Sequence, residues 1–268
     1  MSMVRACEPP LLAGTPLAPG YVVEGHLSRN QVLDVYEVWS AERDCLCVAK
    51  VLRPDCRTHG RRRERLEREG RLLLDLAHPH LVRAYEMLSE PELAVVLETL
   101  TGERLDALIA RGERRLPAVE VAELGAQLCS VVGYLHRQGW LHLDLKPTNV
   151  IVDGGIVKLF DLSLVRRPGQ GRPRYGTAGY LSPEQVRGEA FSEATDAFGL
   201  ACVLFAAATR RSPGAGRRDG GAEPPPSVRT LRRLPAPLAD AIDGGLSEDP
   251  AARPTVRDLG AVCAAVAA

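Results

Sequence analysis

The 268-residue chain carries 34 basic and 34 acidic side chains, so its formal net charge at pH 7 is zero. Such a balance gives no overall electrostatic attraction to nucleic acid or to an anionic membrane surface. Apolar residues make up 45% of the sequence, which is enough to build a sizeable buried core in a chain of this length.

Neither a membrane span nor a secretion signal is predicted. The longest apolar run, Phe198–Ala208, is too short to cross a bilayer. Residues 1–20 lack an apolar stretch of signal-peptide length. The seven cysteines form no CxxC pair and no cluster with histidines. We therefore expect reduced core thiols and a cytoplasmic location.

The first hundred residues are predicted to form a tail and a small β-rich lobe. Residues 1–20 contain four prolines and are predicted to be flexible. In residues 21–100, short apolar runs alternate with polar or Gly/Pro turns, as in a sheet. Leucines recur at helical spacing from about residue 61 to residue 76, which predicts one helix there. The predicted strands are Tyr21–Val23, Val35–Trp39, Leu46–Leu52, Val82–Leu88 and Leu93–Glu98.

Residues 101–268 are predicted to form a larger, mainly helical lobe. Two short strands, Val150–Val152 and Ile156–Phe160, flank the turn Asp153–Gly155 and predict a hairpin. Residues 211–226 are so rich in glycine and proline that we expect them to be mobile. The predicted helices are Leu105–Arg111, residues 117–138, Asp196–Thr209, Ala236–Gly244 and Val256–Ala267.

The eight residues His142–Asn149 combine groups that suit phosphoryl transfer. Asp144 can accept a proton, Lys146 can neutralise a phosphate, and the carbonyl oxygen of Asn149 can hold a metal. Catalysis of phosphoryl transfer consists mostly of positioning and charge neutralisation. The segment reads H-x-D-L-K-P-x-N and resembles the catalytic loop of protein kinases.

Other motifs of this family lie upstream. Lys50, preceded by Val48-Ala49, resembles the lysine of the V-A-I-K strand, which binds the ATP phosphates. An acidic residue on the following helix is expected to hold this lysine. Glu69 is favoured for its spacing to His78-Pro79, with Glu67 and Glu64 as alternatives.

Further motifs lie downstream, in the order that the family requires. Asp161-Leu162-Ser163 resembles the metal-binding D-F-G element, and Gly176–Glu184 is similar to the G-T-x-G-Y-x-A-P-E end of the activation segment. Arg253 occupies the position of the arginine that pairs with Glu184. Asp196 matches the aspartate that supports the catalytic loop, with helix N-capping as an alternative role. Residues 21–268 are thus identified as a member of the bacterial, Hanks-type (eukaryotic-like) protein serine/threonine kinase family.

This resemblance implies an α+β, bilobal protein-kinase-like fold, with a small lobe at residues 21–100 and a larger one at residues 101–268. It implies ATP as phosphate donor, Mg²⁺ or alternatively Mn²⁺ as metal, and a protein substrate; the substrate's identity and the oligomeric state are left open. The residues assigned to catalysis are Asp144, Lys146, Asn149 and Thr177, and those assigned to the metal are Asn149 and Asp161. The residues assigned to the nucleotide are Lys50, Glu69, Leu27, Val35, Ala49, Leu97, Glu98, Leu100 and Ile151.

The loop that covers ATP departs from the family pattern. Ser28, Asn30 and Leu33 stand where the glycines of G-x-G-x-x-G belong, and no glycine lies between Gly25 and Gly60. Glycine allows the backbone to approach phosphate closely, often at positive φ. We therefore predict weaker nucleotide binding, or a differently shaped lid, than in a typical kinase.

Two further departures affect regulation. Leu143 replaces the arginine that normally precedes the catalytic aspartate and pairs with a phosphate on the activation loop. Between Ser163 and Thr177 the only hydroxyl belongs to Tyr175. Both partners of that switch are missing together, which predicts a kinase without an activation-loop phosphoswitch, the non-RD type. Ser163 also lacks the torsional freedom of the glycine in D-F-G.

Two alternatives stay open. A pseudokinase acting as a nucleotide-sensing or scaffold module is favoured by the glycine-free loop and by Ser163. A kinase for a small molecule is compatible with the same fold. Activity is favoured because Lys50, Lys146 and Lys158 are the only lysines in an arginine-rich chain, and two of them occupy kinase-like positions where a compact charge is required.

Overall fold

The computed structural model describes residues 8–57, 59–112, 115–214 and 225–268. The chain divides into a smaller unit, residues 1–77 with 82–100, and a larger unit, residues 78–81 with 101–268. The division between the two units falls between residues 100 and 101, with one exception. Residues 78–81 belong to the larger unit because the Leu159 amide donates to the His80 carbonyl at 2.8 Å and Leu81 forms a parallel bridge with Leu159.

The smaller unit is a six-stranded antiparallel sheet in the order β1-β2-β3-β4-β6-β5, with one helix. Helix α1 buries Leu66, Leu72 and Leu73, which recur at helical spacing and pack it against β5 and β6. Gly70 allows this close approach, since a Cβ there would lie 2.8 Å from the Val95 side chain. The elements are β1 (Pro16–Ala18), β2 (Tyr21–Arg29), β3 (Leu33–Ser40), β4 (Cys45–Leu52), α1 (Gly60–Asp75), β5 (Ala84–Leu88) and β6 (Ala94–Glu98).

Strand β1 lies within the predicted flexible tail, and the prediction of a tail over residues 1–20 is wrong for this part. Pro16 and Ala18 pair with Val22 and Tyr21 of β2, and the Gly14 amide donates to the Val23 carbonyl at 2.8 Å. Proline is acceptable at this position because β1 is an edge strand, where the missing N–H leaves no ladder bond unmade. The tail prediction gave the prolines too much weight.

The larger unit is helical around a three-stranded sheet in the order β7-β8-β9. Helix α3 is its core helix: its apolar face is buried and packs against α8 and α5. Among the described residues, α3 alone has the length and apolar composition of a membrane span. Most of its apolar residues are buried in the core of the larger unit. The elements are β7 (Glu103–Arg104), α2 (Leu105–Arg111), α3 (Ala118–Arg137), β8 (Val150–Asp153), β9 (Ile156–Leu159), α4 (Pro183–Arg187), α5 (Glu193–Thr209), α6 (Val228–Leu231), α7 (Ala236–Gly245) and α8 (Val256–Ala267).

Helix α5 begins three residues earlier than predicted. Its N-cap is Ser192, which forms a capping box with Thr195, so Asp196 lies in the first turn and does not cap the helix. The short helices α4 and α6 were not predicted. Within the segment predicted to be mobile, residues 215–224 lie outside the described residues.

Candidate active site

Asp196 fixes the backbone of the loop His142–Asn149. Its buried carboxylate accepts hydrogen bonds from the backbone amides of His142 and Leu143, both at 2.8 Å. The ring of His136 lies 2.8 Å from the same carboxylate. Leu143 has a φ of +64°, a conformation that costs a non-glycine residue free energy unless its surroundings impose it. The two charge-assisted bonds from the adjacent amides help to impose it.

His142 is a neutral, buried member of this loop. Burial lowers the pKa of its imidazole below the ordinary value. Its Nδ1 accepts the Asp144 backbone N–H at 3.2 Å, so the ring proton of the neutral form lies on Nε2. Among the described residues, Nε2 has no hydrogen-bond partner. His142 therefore contributes to the position of the Asp144 backbone and not to charge.

Asp144, Lys146 and Thr177 form a closed triangle of hydrogen bonds. The Lys146 ammonium donates to Asp144 Oδ2 and to Thr177 Oγ1, each at 2.6 Å. The Thr177 hydroxyl donates to Asp144 Oδ1 at 2.7 Å. Asp144 is only 8% exposed, so these short bonds act in a partly desolvated environment, where charge interactions are strong. The structure therefore brings together three of the residues that the sequence assigns to catalysis.

Asn149 is oriented so that its oxygen remains available to a cation. Its Nδ2 donates to the Asp144 carbonyl at 2.9 Å and to Asp144 Oδ2 at 3.3 Å. Asp161, the second predicted metal ligand, adopts a φ of +70°, and the Ser163 amide donates to its Oδ1 at 3.2 Å. The described residues contain no cluster of three or more His, Cys, Asp or Glu side chains. One amide oxygen and one carboxylate fit Mg²⁺, which takes few protein ligands and completes its shell with phosphate and water.

In the smaller unit, Lys50 pairs with Glu69. The Lys50 ammonium donates to Glu69 Oε1 at 2.6 Å, and both residues are buried. The two alternative partners have other surroundings. Glu67 pairs with Arg63 and Arg71 on the same helix, and Glu64 is exposed. The prediction of Glu69 as the partner agrees with the structure.

The assignment of Ala49 to the nucleotide is wrong in orientation. Side chains alternate between the faces of a strand, so Ala49 lies on the face of β4 opposite to Lys50. There it is fully buried in the apolar core with Tyr36 and Val38. The residue on the same face as Lys50 is Val48, which is half-buried. The two-residue period of a strand, counted back from Lys50, identifies Val48, which was not among the predicted nucleotide residues.

The other predicted nucleotide residues are placed as follows. Val35 pairs directly with Lys50, and Leu97 pairs directly with Val48, so both share the face of Lys50. Leu27 lies at an irregularity between two register pairs of β2 and β3 and is 54% exposed. Glu98 and Leu100, in the smaller unit, and Ile151, on β8 of the larger unit, are half-buried. Their contacts with nucleotide stay predictions.

The glycine-free loop is a tight turn closed by a side chain. Asn30 Oδ1 accepts the backbone N–H groups of Val32 and Leu33, both at 2.8 Å, and the Asn30 amide donates to the Leu33 carbonyl at 2.9 Å. The Arg53 guanidinium binds the Asn30 carbonyl from outside, at 2.9 Å. Asn30 and Leu33 are not among the residues of positive φ. The turn therefore needs no glycine, and the amides at its tip already have acceptors.

Leu143 lies in an apolar cluster. In RD kinases, which carry an arginine directly before the catalytic aspartate, this position holds a cation. Leu143 packs with Leu141 and Phe191, and Tyr175 covers this group. The Arg166 guanidinium stands 5.6 Å from the Tyr175 ring centroid and 5.7 Å from that of Phe191, distances typical of cation–π contacts. The loss of the arginine is visible in the sequence, whereas the cluster that fills its place is visible only in the structure.

Glu184 and Arg253 form the predicted ion pair. Two parallel bonds, of 2.7 and 2.9 Å, join the carboxylate to the guanidinium, and both side chains are buried. Burial acts to raise the pKa of Glu184, but the hydrogen bonds and charge of Arg253 outweigh it and hold that pKa below the ordinary value. The pair joins the start of α4 to the segment before α8.

Comparison with known proteins agrees with this geometry. The family model described as protein kinase domain matches residues 21–261. Serine/threonine-protein kinase PkaA of Streptomyces coelicolor is 31% identical over 73% of this chain, and PknB of Mycobacterium leprae is 30% identical over 75%. These alignments cover 38% and 32% of the two relatives, so the chain spans about a third of their length.

Solved structures agree at the level of the fold. The kinase domain of PknI from Mycobacterium tuberculosis superimposes with a TM-score of 0.76 at 23% identity, over 96% of this chain and all of that domain.

Proposed function

Since this chain belongs to the protein kinase family and its curated relatives are serine/threonine kinases, we propose that it transfers the γ-phosphate of ATP to serine or threonine hydroxyls of a protein. The observation that carries this proposal is the hydrogen-bonded triangle of Asp144, Lys146 and Thr177. In it, a carboxylate already accepts a hydrogen bond from a hydroxyl at 2.7 Å, as a substrate hydroxyl would require.

Each residue of the triangle has a distinct part. Asp144 orients the acceptor hydroxyl and takes its proton as the oxygen attacks phosphorus. Lys146, at 2.6 Å from Asp144, supplies positive charge against the negative charge of the transferring group. Thr177 holds the activation segment against both residues.

The proposed nucleotide chemistry assigns the remaining motif residues. ATP with Mg²⁺, or Mn²⁺, supplies the phosphoryl group and neutralises charge on the phosphates. Asn149 and Asp161 would hold the metal. Lys50, which donates to Glu69 at 2.6 Å, would bind the phosphates.

We further propose that activity does not require phosphorylation of the activation segment. The apolar packing of Leu143 with Leu141 and Phe191 supports this, because the residue directly before Asp144 is an apolar leucine that cannot pair with a phosphate. Tyr175, the only hydroxyl between Ser163 and Thr177, donates its proton to the Leu164 carbonyl at 3.1 Å and is already engaged.

The second candidate is a pseudokinase that senses nucleotide or serves as a scaffold. The observation that favours it is the turn Asn30–Leu33, whose tip amides are already bonded and offer no phosphate cradle. The partner of such a module would be a protein. A cytoplasmic location and the absence of a membrane span stay predictions for either candidate.

A phosphotransfer assay distinguishes the two candidates. The purified chain is incubated with Mg²⁺, labelled ATP and a generic protein substrate, beside Asp161→Asn as the control. Incorporation that is lost in Asp161→Asn supports the kinase. No incorporation in either protein, together with no thermal shift on adding nucleotide, supports the scaffold and contradicts the enzyme.

A further inference from the structure

Gln185 contacts the active site, although none of the family motifs described above gives it a role there. Its side chain is only 3% exposed. The Nε2 group donates to the Leu143 carbonyl at 2.8 Å and to the Tyr175 carbonyl at 2.7 Å. Its Oε1 accepts the Ser182 backbone N–H at 3.0 Å. One buried amide thus joins the catalytic loop, the activation segment and the start of α4.

The two carbonyls belong to the two segments that carry Asp144 and Thr177. Leu143 immediately precedes Asp144, and Tyr175 lies two residues before Thr177, which bonds to Asp144 at 2.7 Å. Gly176 keeps the space for this link, since a Cβ there would stand 3.1 Å from both the Gln185 Nε2 and the Leu143 carbonyl oxygen. The side chain of Gln185 therefore sets the separation of the two segments that hold the triangle.

We infer that Gln185 is a positioning residue that holds the activation segment on the catalytic loop without any modification. The inference rests on the proposed function. An arginine–phosphate link forms only after phosphorylation, whereas both bonds of Gln185 are neutral and form on folding. If they are lost, one buried and one partly buried carbonyl lose their donor, which is costly.

A helix-capping role for Gln185 is the alternative explanation, and one substitution separates the two roles. Gln185 is the N3 residue of a capping box with Ser182. Glutamate serves equally well at N3, so Gln185→Glu keeps the acceptor for the Ser182 amide. It removes the two donors and places a carboxylate against two carbonyl oxygens. Ser182→Ala does the reverse, because it weakens the cap and leaves the Gln185 donors in place.

Limited trypsin digestion measures how well ordered the activation segment is, and it does not require an active enzyme. The bond Arg174–Tyr175 lies beside the Gln185 contact and is open to trypsin by sequence, whereas Arg167 and Arg172 precede prolines. We expect Gln185→Glu to be cleaved at this bond about tenfold faster than the wild type, as loss of a buried hydrogen bond favours local opening. Gln170→Glu, the same change at an exposed residue of the segment, should match the wild type.

Kinetics provide the second measurement. We expect Gln185→Glu to lower kcat about tenfold or more, because misplacement of the acceptor site slows the chemical step, with a KM for ATP within about twofold of wild type. Ser182→Ala and Gln170→Glu should retain most of kcat. Thermal unfolding of each variant checks folding, and Gln185→Met, which lacks both donor and charge, decides the question if Gln185→Glu does not fold.

The outcomes are distinct. Faster cleavage and lower kcat in Gln185→Glu and Gln185→Met, but not in Ser182→Ala, support the inference. Wild-type behaviour of both Gln185 variants, or an equal effect of Ser182→Ala, overturns it. If the wild type transfers no phosphate, the proposed function fails, while the cleavage rates still decide whether Gln185 orders the segment.

Discussion

Lys146 illustrates how much a single residue type matters in this site. Its ammonium lies between Asp144 Oδ2 and Thr177 Oγ1, at 2.6 Å from each. A guanidinium is a wide planar fork and cannot occupy the same point. The chain uses arginine for nearly every other positive charge, so lysine here reflects geometry.

We therefore predict that Lys146→Arg lowers kcat about tenfold or more although the charge is kept, because the fork displaces the acceptor site. Steady-state phosphotransfer kinetics measure this. Lys158→Arg is the matched control: Lys158 is the third lysine of the chain, and its ammonium donates to the Leu81 carbonyl at 3.5 Å. Equal activity of Lys146→Arg and Lys158→Arg would contradict the role given to Lys146.

Motif spacing assigned Asp144, Lys146 and Thr177 to one site, because phosphoryl transfer requires particular side chains in a particular order, and hydrogen bonds join these three residues in the structure. Motif spacing did not predict the roles of residues that depend on side-chain orientation, such as Ala49, or on an uncharged amide group, such as Gln185. Ala49 was assigned to the nucleotide although the two-residue period of a strand turns it away from Lys50. Gln185 was overlooked, although the pattern Ser182-x-x-Gln185 is a capping-box signal.

At the level of elements, the turn Asn30–Leu33 determines which backbone N–H groups the glycine-free loop can donate to nucleotide phosphates. Its tip amides are bonded to Asn30 Oδ1 at 2.8 Å. Backbone amides that already have an acceptor contribute little to phosphate binding. The side chain that makes glycine unnecessary therefore also removes the donors that glycine loops present.

Asn30→Gly is predicted to tighten ATP binding about threefold to tenfold, because it frees two amides and restores backbone freedom. Isothermal titration calorimetry with MgATP measures the Kd. Gln31→Gly adds the same freedom at the neighbouring exposed residue but frees no amide, and it should leave the Kd near that of wild type. A wild-type Kd as tight as that of glycine-loop kinases would count against weak binding altogether.

The activation segment gives a second prediction at this scale. Tyr175→Phe removes the bond to the Leu164 carbonyl, 3.1 Å long, but keeps the ring packed 6.0 Å from that of Phe191. We expect kcat within about twofold of wild type, since a half-exposed hydrogen bond contributes little, and unchanged trypsin cleavage after Arg174. A large loss of turnover in Tyr175→Phe would show that the hydroxyl itself, or its phosphorylation, is needed.

Elements with strong periodicity were predicted to within one residue at each end, as for α1, α2, α3 and α8. Elements that depend on distant partners were not. Strand β1 exists because β2 offers an edge, and α4, at five residues, is too short to show a period.

At the scale of the whole molecule, the boundary between residues 100 and 101 followed from the change from strand to helix patterns. The transfer of residues 78–81 to the larger unit did not, because it depends on pairing with Leu159, far along the chain. Local patterns carry no information on such a partner.

Breaking the buried pair Glu184–Arg253 is expected to destabilise the larger unit strongly. Removing one partner of a buried pair leaves an uncompensated charge, so Arg253→Met should lower the free energy of unfolding by about 3–5 kcal/mol. Denaturation with urea measures this. The exposed pair Arg187–Glu189 is the control, because Glu189→Gln should cost less than about 1 kcal/mol; equal losses in the two variants would contradict the prediction.

The same pair gives a pH dependence. The pKa of Glu184 in the folded chain lies below its ordinary value of 4.5, so its stabilising effect is complete above that value and is lost as the pH falls through the folded-state pKa. The stability difference between wild type and Glu184→Gln should therefore be largest near neutral pH and shrink below pH 4.5. A difference that stays constant on acidification would show that Glu184 does not titrate as proposed.

The apolar cluster around Leu143 has a consequence for signalling. Under the proposed mechanism a phosphatase that acts on the activation segment would not switch this enzyme off, because the bonds from Gln185 that hold the segment are neutral hydrogen bonds. The rate of substrate phosphorylation would then scale with the amount of enzyme and the supply of substrate. We expect cells to limit such a kinase through its synthesis, its turnover or access to its substrate, and its dose–response to be graded.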